Sequence, residues 1–396
     1  MNYSSTSAFF RSLLAEGKVR SFGENAIMIV CHASSPLNPS ASVCSCAQLS
    51  LPHSPTVLLM PDVSSWARAF AGFPERRITG QEASDETEKG LMKRRQTRQE
   101  EEVNVVFGFD METDVGSWTP YYEGLIHATP RILDLLAKHD ISATFFFTGD
   151  AAKRHRGMVK AVDRAGHEVG CHSLYHETVG DELFSIPGVK PLLPEECAHR
   201  IEVATAWVHE ALGGKVTSFR APRLWGSTAM VNALESLGYT ADASYPLYFY
   251  RERLVPYHPS RMDWTEEGHL RILEIPNFAD MTTSSLDPYG RDRDQWPLFR
   301  TEGARSLMRH VDAMLAFYRL KRLPAVLCFY FHPWEFHKMP RGLIHYGEGA
   351  VLPDPFIVKN CGAMALTELG RLIVMLKDRC VSFVTARKLA SAWKGT

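Results

Sequence analysis

Two histidines at the end of an apolar, strand-like segment are the strongest chemical signal in this sequence. His172 and His176 stand four residues apart in the stretch from Gly170 to His176. Neutral imidazole nitrogens are common ligands of zinc, and two of them on one short turn could hold the same ion. The spacing also arises by chance in a chain with 16 histidines. Its meaning therefore depends on which other polar residues the fold brings close.

Other residues that carry chemistry also follow short apolar runs. They are the carboxylates Asp110 and Glu112, and further along the chain Arg220, Asp242 and His332. Each has an ordinary explanation by itself, such as a surface salt bridge for an arginine. In parallel α/β folds, however, the carboxyl ends of the strands meet at one rim, where reactive groups collect. The coincidence of these residues with strand ends predicts one reactive site.

The elements that would position these residues follow a repeating pattern from Val103 onward. Strand-like runs alternate with helical patterns at the spacing of βα units, and seven or eight such units predict a closed parallel barrel. Because side chains alternate between the faces of a strand, Asp110 and Glu112 share one face and can both point to the barrel mouth. The following helix is predicted to be capped by Thr129, with Pro130 in its first turn.

The N-terminal part of the chain has a different character. Ser and Pro are frequent between Ser34 and Pro55, and the apolar pieces Ala26 to Cys31 and Val57 to Met60 are too short to bury a core. We therefore expect residues 1–101 to be a largely disordered extension. The catalytic domain is predicted to span residues 102–396.

Composition restricts the class of protein. The net charge is −1 and 45% of the residues are hydrophobic, which is typical of a soluble globular protein. This near-neutral net charge gives no sign of the basic surface that nucleic-acid-binding proteins carry. No apolar run approaches the roughly 18 residues that cross a bilayer, and the N-terminus lacks a signal-peptide pattern. We expect a cytoplasmic protein without a membrane span or a nucleic-acid partner, and the sequence is compatible with a homo-oligomer.

Five segments together resemble the motifs of the NodB-type polysaccharide deacetylases, also called carbohydrate esterase family 4. In chain order they are Phe109 to Glu112, His172 to His176, Phe219 to Pro222, Asp242 to Pro246, and Phe331 to Glu335. The first motif, Asp-x-Glu, and the last, His-Pro-Trp-Glu, are similar to those of one subgroup. The resemblance spans Val103 to Trp393. It implies a distorted (β/α)7 barrel, a divalent metal that is usually zinc, and removal of N-acetyl groups from a sugar or polysaccharide.

The resemblance also implies a ligand set for the metal. His172, His176 and Glu112 are the implied ligands, and Asp114 is a reserve candidate for the carboxylate. Three protein ligands leave a fourth position for water, as in catalytic zinc sites.

Roles in proton transfer are implied in the same way. Asp110 is the implied general base, which Arg220 would keep ionised and in place. His332 is the implied general acid for the departing amine, with Asp242 orienting its ring. A backbone N–H near Tyr245 is expected to stabilise the tetrahedral oxyanion.

Aromatic residues near the rim are candidates for stacking against a sugar ring. We single out Tyr245, Trp225 and Trp334 as substrate-binding residues. Where the family commonly has an aromatic residue after its Arg-x-Pro element, this sequence has Arg223.

Two other functions stay open at this level. The similar subgroup also includes enzymes that hydrolyse cyclic amides or allantoin-type substrates. The lack of an export signal favours this alternative, because polymer substrates lie mostly outside the cell. A catalytically silent carbohydrate-binding protein could keep the same barrel. The presence of every acid, base and ligand residue type argues against that second alternative.

Overall fold

A computed structural model describes residues 28–31, 103–347 and 349–395. Most of the predicted N-terminal extension lies outside the described residues, so its expected disorder stays a prediction.

The strands are Met28–Cys31 (β1), Asn104–Met111 (β2), Thr144–Phe147 (β3), Glu168–Cys171 (β4), Ser218–Phe219 (β5), Ala241–Asp242 (β6), Leu273–Glu274 (β7), Val326–Phe331 (β8), Ile344–Tyr346 (β9), Gly349–Leu352 (β10) and Ser382–Phe383 (β11). The longer helices are Glu123–Lys138 (α1), Gly149–Arg154 (α2), Arg156–Arg164 (α3), Pro194–Leu212 (α4), Thr228–Ser236 (α5), Ala304–Lys321 (α6), Ala363–Lys377 (α7) and Ala386–Ala392 (α8). Single helical turns that matter for the site are Pro222–Leu224 and Pro333–Phe336.

Strands β2 to β8 close into a parallel barrel. They pair in the order β2-β3-β4-β5-β6-β7, and β8 pairs with β2. A parallel bridge between Asn277, just after β7, and Cys328 in β8 completes the ring, and the N–H of Phe278 donates to the Cys328 carbonyl at 2.7 Å. Because β5, β6 and β7 are only two residues long, the ring is distorted. The predicted (β/α)7 barrel is confirmed.

The first barrel strand shows the predicted alternation of faces. Val106 packs with Phe146 and Cys328 in a cluster formed mainly by barrel strands, whereas Phe107 and Phe109 join the larger cluster that includes the helices. Asp110, an even number of positions from Val106, therefore shares the interior face.

Helix α1 begins earlier than predicted. It starts at Glu123, so Thr129 and Pro130 lie within it. The reason is Asp114, whose two carboxylate oxygens accept hydrogen bonds from the N–H groups of Glu123 at 3.0 Å and Gly124 at 2.9 Å. A remote carboxylate thus satisfies N–H groups that a local capping residue would otherwise satisfy.

A second, smaller sheet lies outside the barrel. Strand β10 pairs antiparallel with both β1 and β9. Residues 28–31, which the sequence assigns to the extension, therefore contribute a strand to the same compact unit as the barrel. None of the described helices is long and apolar enough to cross a membrane.

Candidate metal and catalytic site

Glu112, His172 and His176 converge at the carboxyl ends of β2 and β4. One ligand atom from each lies within 4.8 Å of the others, and all three residues are buried. Glu112 Oε2 lies 2.6 Å from His176 Nε2 and 3.6 Å from His172 Nε2. No described residue offers this oxygen a contact with hydrogen-bond geometry. Ligand atoms that lie this close together without hydrogen bonding are expected where their three lone pairs point toward one shared cation.

The turn that carries the two histidines is held in a strained conformation. Ser173 has a φ of 63° and His176 a φ of 66°, in the left-handed region that disfavours residues with a Cβ by about 1–2 kcal/mol. The Glu177 carboxylate accepts backbone hydrogen bonds inside this turn. His172 Nδ1 lies 2.7 Å from the Arg220 carbonyl. Because a carbonyl can only accept, the proton is on Nδ1, and the lone pair of Nε2 is free for a metal.

The charges of the ligand group suit a cation. Burial would raise the pKa of Glu112, but the imidazoles of His176 and His172 lower it well below its ordinary value. Burial lowers the pKa of His176 to about 4, against the opposing effect of Glu112. At neutral pH the carboxylate is therefore ionised and the His176 imidazole neutral, which are the forms that bind a metal. Two nitrogens and one carboxylate oxygen fit a catalytic divalent-metal site.

Asp114 lies outside the converging group. Both of its oxygens cap helix α1, and burial raises its pKa to about 6. This corrects the interpretation of Asp114 as a reserve ligand, because its lone pairs point at the helix N-terminus.

Asp110 and Arg220 form a buried ion pair inside the barrel. Arg220 Nη1 donates to Asp110 Oδ1 at 2.9 Å, and Arg220 Nε donates to the carbonyl of Ala243 at 3.1 Å. The guanidinium also stacks on the Phe146 ring at 4.5 Å. Gly108 makes room for it, since a Cβ at this position would lie 2.1 Å from Arg220 Nη1. The role of this glycine is not visible in the local sequence.

His332 faces Asp110 across the mouth of the barrel. Its Nε2 lies 4.0 Å from Asp110 Oδ2, the oxygen that Arg220 does not hold. Its Nδ1 lies 3.0 Å from Glu335 Oε1, and Glu335 Oε2 accepts a hydrogen bond from Arg300 Nε at 2.6 Å. Glu335 and Arg300 are both buried. The structure therefore places Glu335, and not Asp242, against Nδ1 of His332.

Burial alone would lower the pKa of His332, but the carboxylates around it prevail. The hydrogen bond to Glu335 and the charges of Glu112 and Asp110 raise this pKa to about 9. His332 is therefore protonated at neutral pH, and with Nδ1 bonded to Glu335 its Nε2–H faces the site.

Asp242 belongs to a different pair. It accepts a hydrogen bond from Ser244 Oγ and lies against Glu274, and no bond to His332 is found among the described residues. Burial raises the pKa of Asp242 to about 6, and burial together with the negative charge of Asp242 raises the pKa of Glu274 well above its ordinary value. Glu274 Oε1 also accepts the Tyr245 N–H at 2.8 Å. The N–H of Tyr245 itself is therefore engaged, and the expected role of a backbone N–H near Tyr245 in binding an oxyanion stays a prediction.

The three aromatic residues expected to bind substrate are buried. Tyr245 and Trp225 are fully enclosed, and Trp334 is 1% exposed. Trp334 stacks on the His332 ring with centroids 5.5 Å apart, and its Nε1 donates to Glu112 Oε1 at 3.4 Å. Neighbouring residues pack against these three rings and cover them, so no ring face is free to stack on a sugar. The structure therefore corrects the stacking interpretation.

Other aromatic side chains border open space at the site. A cleft of about 350 Å³ lies beside His176, and its walls include Trp118, Tyr122, Tyr175 and Tyr346. These rings have the chemistry expected of a surface that receives a substrate next to the ligand group.

Residues 113–241 match the family model described as polysaccharide deacetylase. The matched segment contains His172, His176 and Arg220. A curated relative, the peptidoglycan-N-acetylglucosamine deacetylase of Bacillus cereus, is 27% identical over 169 residues, which cover 42% of this chain and 69% of the relative. Another, the peptidoglycan-N-acetylmuramic acid deacetylase PdaA of Bacillus subtilis, is 36% identical over 66 residues, covering 15% of this chain and 25% of the relative.

Solved structures align with much of this chain at low sequence identity. The structure of Puue allantoinase aligns with a TM-score of 0.49 and 16% identity, over 74% of this chain and 91% of the other. Of the two curated relatives, the chain spans 69% of the Bacillus cereus protein and 25% of the Bacillus subtilis protein.

Proposed function

We propose that this chain is a metal-dependent hydrolase that removes N-acetyl groups from a sugar or polysaccharide. The observation that carries the proposal is the convergence of a Glu-His-His ligand group with Asp110 and His332 at one rim of the barrel. The match to the polysaccharide deacetylase family model and the names of the two relatives support an acetamide as the bond that is broken. We also propose that the domain belongs to the subgroup with an Asp-x-Glu first motif.

Glu112, His172 and His176 would hold the metal, which we propose is zinc because two nitrogens and one carboxylate suit that ion. A divalent ion bound there would polarise the carbonyl of the substrate and lower the pKa of a bound water to about 7. Trp334 Nε1 donates to Glu112 Oε1 at 3.4 Å. The tryptophan thereby engages one oxygen and leaves Oε2 for the cation.

Asp110 acts as the general base. Arg220 holds Oδ1, so Oδ2 is the oxygen that takes a proton from the attacking water as the new C–O bond forms. The position of this carboxylate is set by an ion pair in the barrel interior, which limits its motion during the reaction.

His332 acts as the general acid. Its Nε2–H lies on the same side of the site as Asp110 Oδ2. When the C–N bond breaks, this proton passes to the departing nitrogen, and the products are acetate and a free amine. A pKa raised to about 9 keeps the proton in place at neutral pH.

The test combines metal analysis with an amide panel on the purified full chain. We expect about one divalent ion per chain and release of acetate from N-acetylglucosamine oligomers or a nucleotide-linked N-acetyl sugar. Hydrolysis of a cyclic imide alone would show that the substrate is not an acetamide. Absence of any hydrolysis by metal-loaded protein, with Asp110→Asn indistinguishable from wild type, would contradict an enzymatic role.

A further inference from the structure

Arg223 is a cation beside the ligand group that lacks an anionic partner within the described residues. It stands in the turn Pro222–Leu224 after β5, with a φ of 60°. This left-handed conformation is unfavourable for a residue with a Cβ, and residues held in it cluster at functional sites. Arg220 and Arg300, in contrast, each have a buried carboxylate partner.

The guanidinium of Arg223 is fixed next to the metal-binding turn. Its Nη1 donates to the carbonyl of His176 at 3.2 Å and to Thr178 Oγ1 at 3.3 Å. Burial lowers the pKa of Arg223, and the nearby Glu112 carboxylate opposes this effect. An arginine stays charged under such conditions. A positive charge therefore lies at the edge of the site.

Two donors of this guanidinium are left for a ligand. Nε and Nη2 have no acceptor among the described residues, and neither is a buried polar atom closed off from solvent. The planar arrangement of guanidinium donors matches the oxygens of a carboxylate or a phosphate, and such charge-assisted bonds are stronger than neutral ones.

We propose that Arg223 binds an oxyanion of the substrate. The preferred substrate is then an N-acetylated sugar that carries an acidic group, a carboxylate or a phosphate, close to the acetamide. This inference rests on the proposed function and narrows its substrate class.

Binding of three related sugars tests the proposal without requiring turnover. N-acetylglucosamine is neutral, N-acetylmuramic acid adds a carboxylate, and N-acetylglucosamine 6-phosphate adds a phosphate. Calorimetry would measure their affinities for the metal-loaded full chain and for Arg223→Gln, Arg223→Lys and Arg164→Gln. Arg164 is an exposed arginine at the end of α3 and is a matched control.

We expect wild type to prefer one of the anionic sugars, and the one preferred identifies the acidic group. Arg223→Gln should weaken binding of that sugar at least about tenfold more than binding of the neutral sugar. Arg223→Lys should recover part of the loss because it keeps the charge, and Arg164→Gln should behave as wild type.

Equal affinities of wild type for neutral and anionic sugars would overturn the proposal. So would equal losses for all three sugars in both Arg223 variants, because that result indicates only structural support of the His176 turn. Anion binding through Arg223 without amide hydrolysis would refute the proposed function but not this inference. Hydrolysis of neutral and anionic N-acetyl sugars with equal kcat/KM would refute this inference but not the proposed function.

Discussion

Glu335 Oε1 lies 3.0 Å from Nδ1 of His332, and no other carboxylate of the described residues bonds to that nitrogen. The two residues are three positions apart and form a capping box, in which the Glu335 side chain also accepts the His332 N–H. Arg300 holds the other oxygen of Glu335 and donates in addition to the Ile357 and Lys359 carbonyls. The His332 ring is therefore oriented from within its own turn.

Replacement of Glu335 should change the pH dependence of the reaction. The pKa of His332 is raised to about 9, so its proton is present at neutral pH and lost as pH rises through that value. Glu335→Gln removes one of the charges that raise the pKa, so the descending limb of the kcat profile should move to lower pH. Asp242→Asn provides the comparison, since this carboxyl is bonded elsewhere. A larger shift in the Asp242 variant would restore the sequence-based assignment.

Removal of a ligand histidine should affect metal content and activity together. His172→Ala and His176→Ala each delete one donor atom of the buried group, so both variants should lose bound metal on elemental analysis. His332→Ala should keep the metal and slow turnover by about 100-fold or more, the effect of losing a general acid. The exposed His199→Ala is the control. Full activity in either ligand variant would reject the assignment.

Gly108→Ala should affect Asp110 indirectly, by displacing Arg220. The new Cβ would meet the Arg220 guanidinium at 2.1 Å, so Arg220 must shift away from Asp110. We expect a fall in kcat and a loss of about 1–3 kcal/mol of unfolding free energy, measured by denaturant titration. Gly157→Ala in α3 is a matched control with open space around the added Cβ. Wild-type kcat for Gly108→Ala would show that the ion pair is not needed.

Asp114→Ala distinguishes a helix cap from a metal ligand. Loss of both hydrogen bonds to the start of α1 should cost about 1–2 kcal/mol of unfolding free energy. Bound metal per folded chain should not change. Depletion of the metal in this variant would show that Asp114 reaches the ion after all.

Several features of the fold and the site follow from local sequence alone. The period-two alternation of β2 predicts which side chains face the barrel interior, and the order of strand-like and helical runs predicts a parallel barrel. Because the carboxyl ends of parallel strands share one rim, strand-end positions suffice to group Asp110, Glu112, His172, His176 and Arg220. The residue types then predict the metal and acid–base chemistry.

Partner choice among nearby polar groups was decided by the tertiary structure. Asp242 accepts a hydrogen bond from Ser244, Glu335 bonds to His332, and Asp114 caps α1. Sequence spacing could have indicated Glu335 through its capping box, but Arg300 and Gly108 give no local signal. The physical reason is that hydrogen bonds and ion pairs depend on distances of a few ångströms, which are set by how remote segments pack. Alternation specifies the direction in which a side chain points, whereas packing alone decides what it meets.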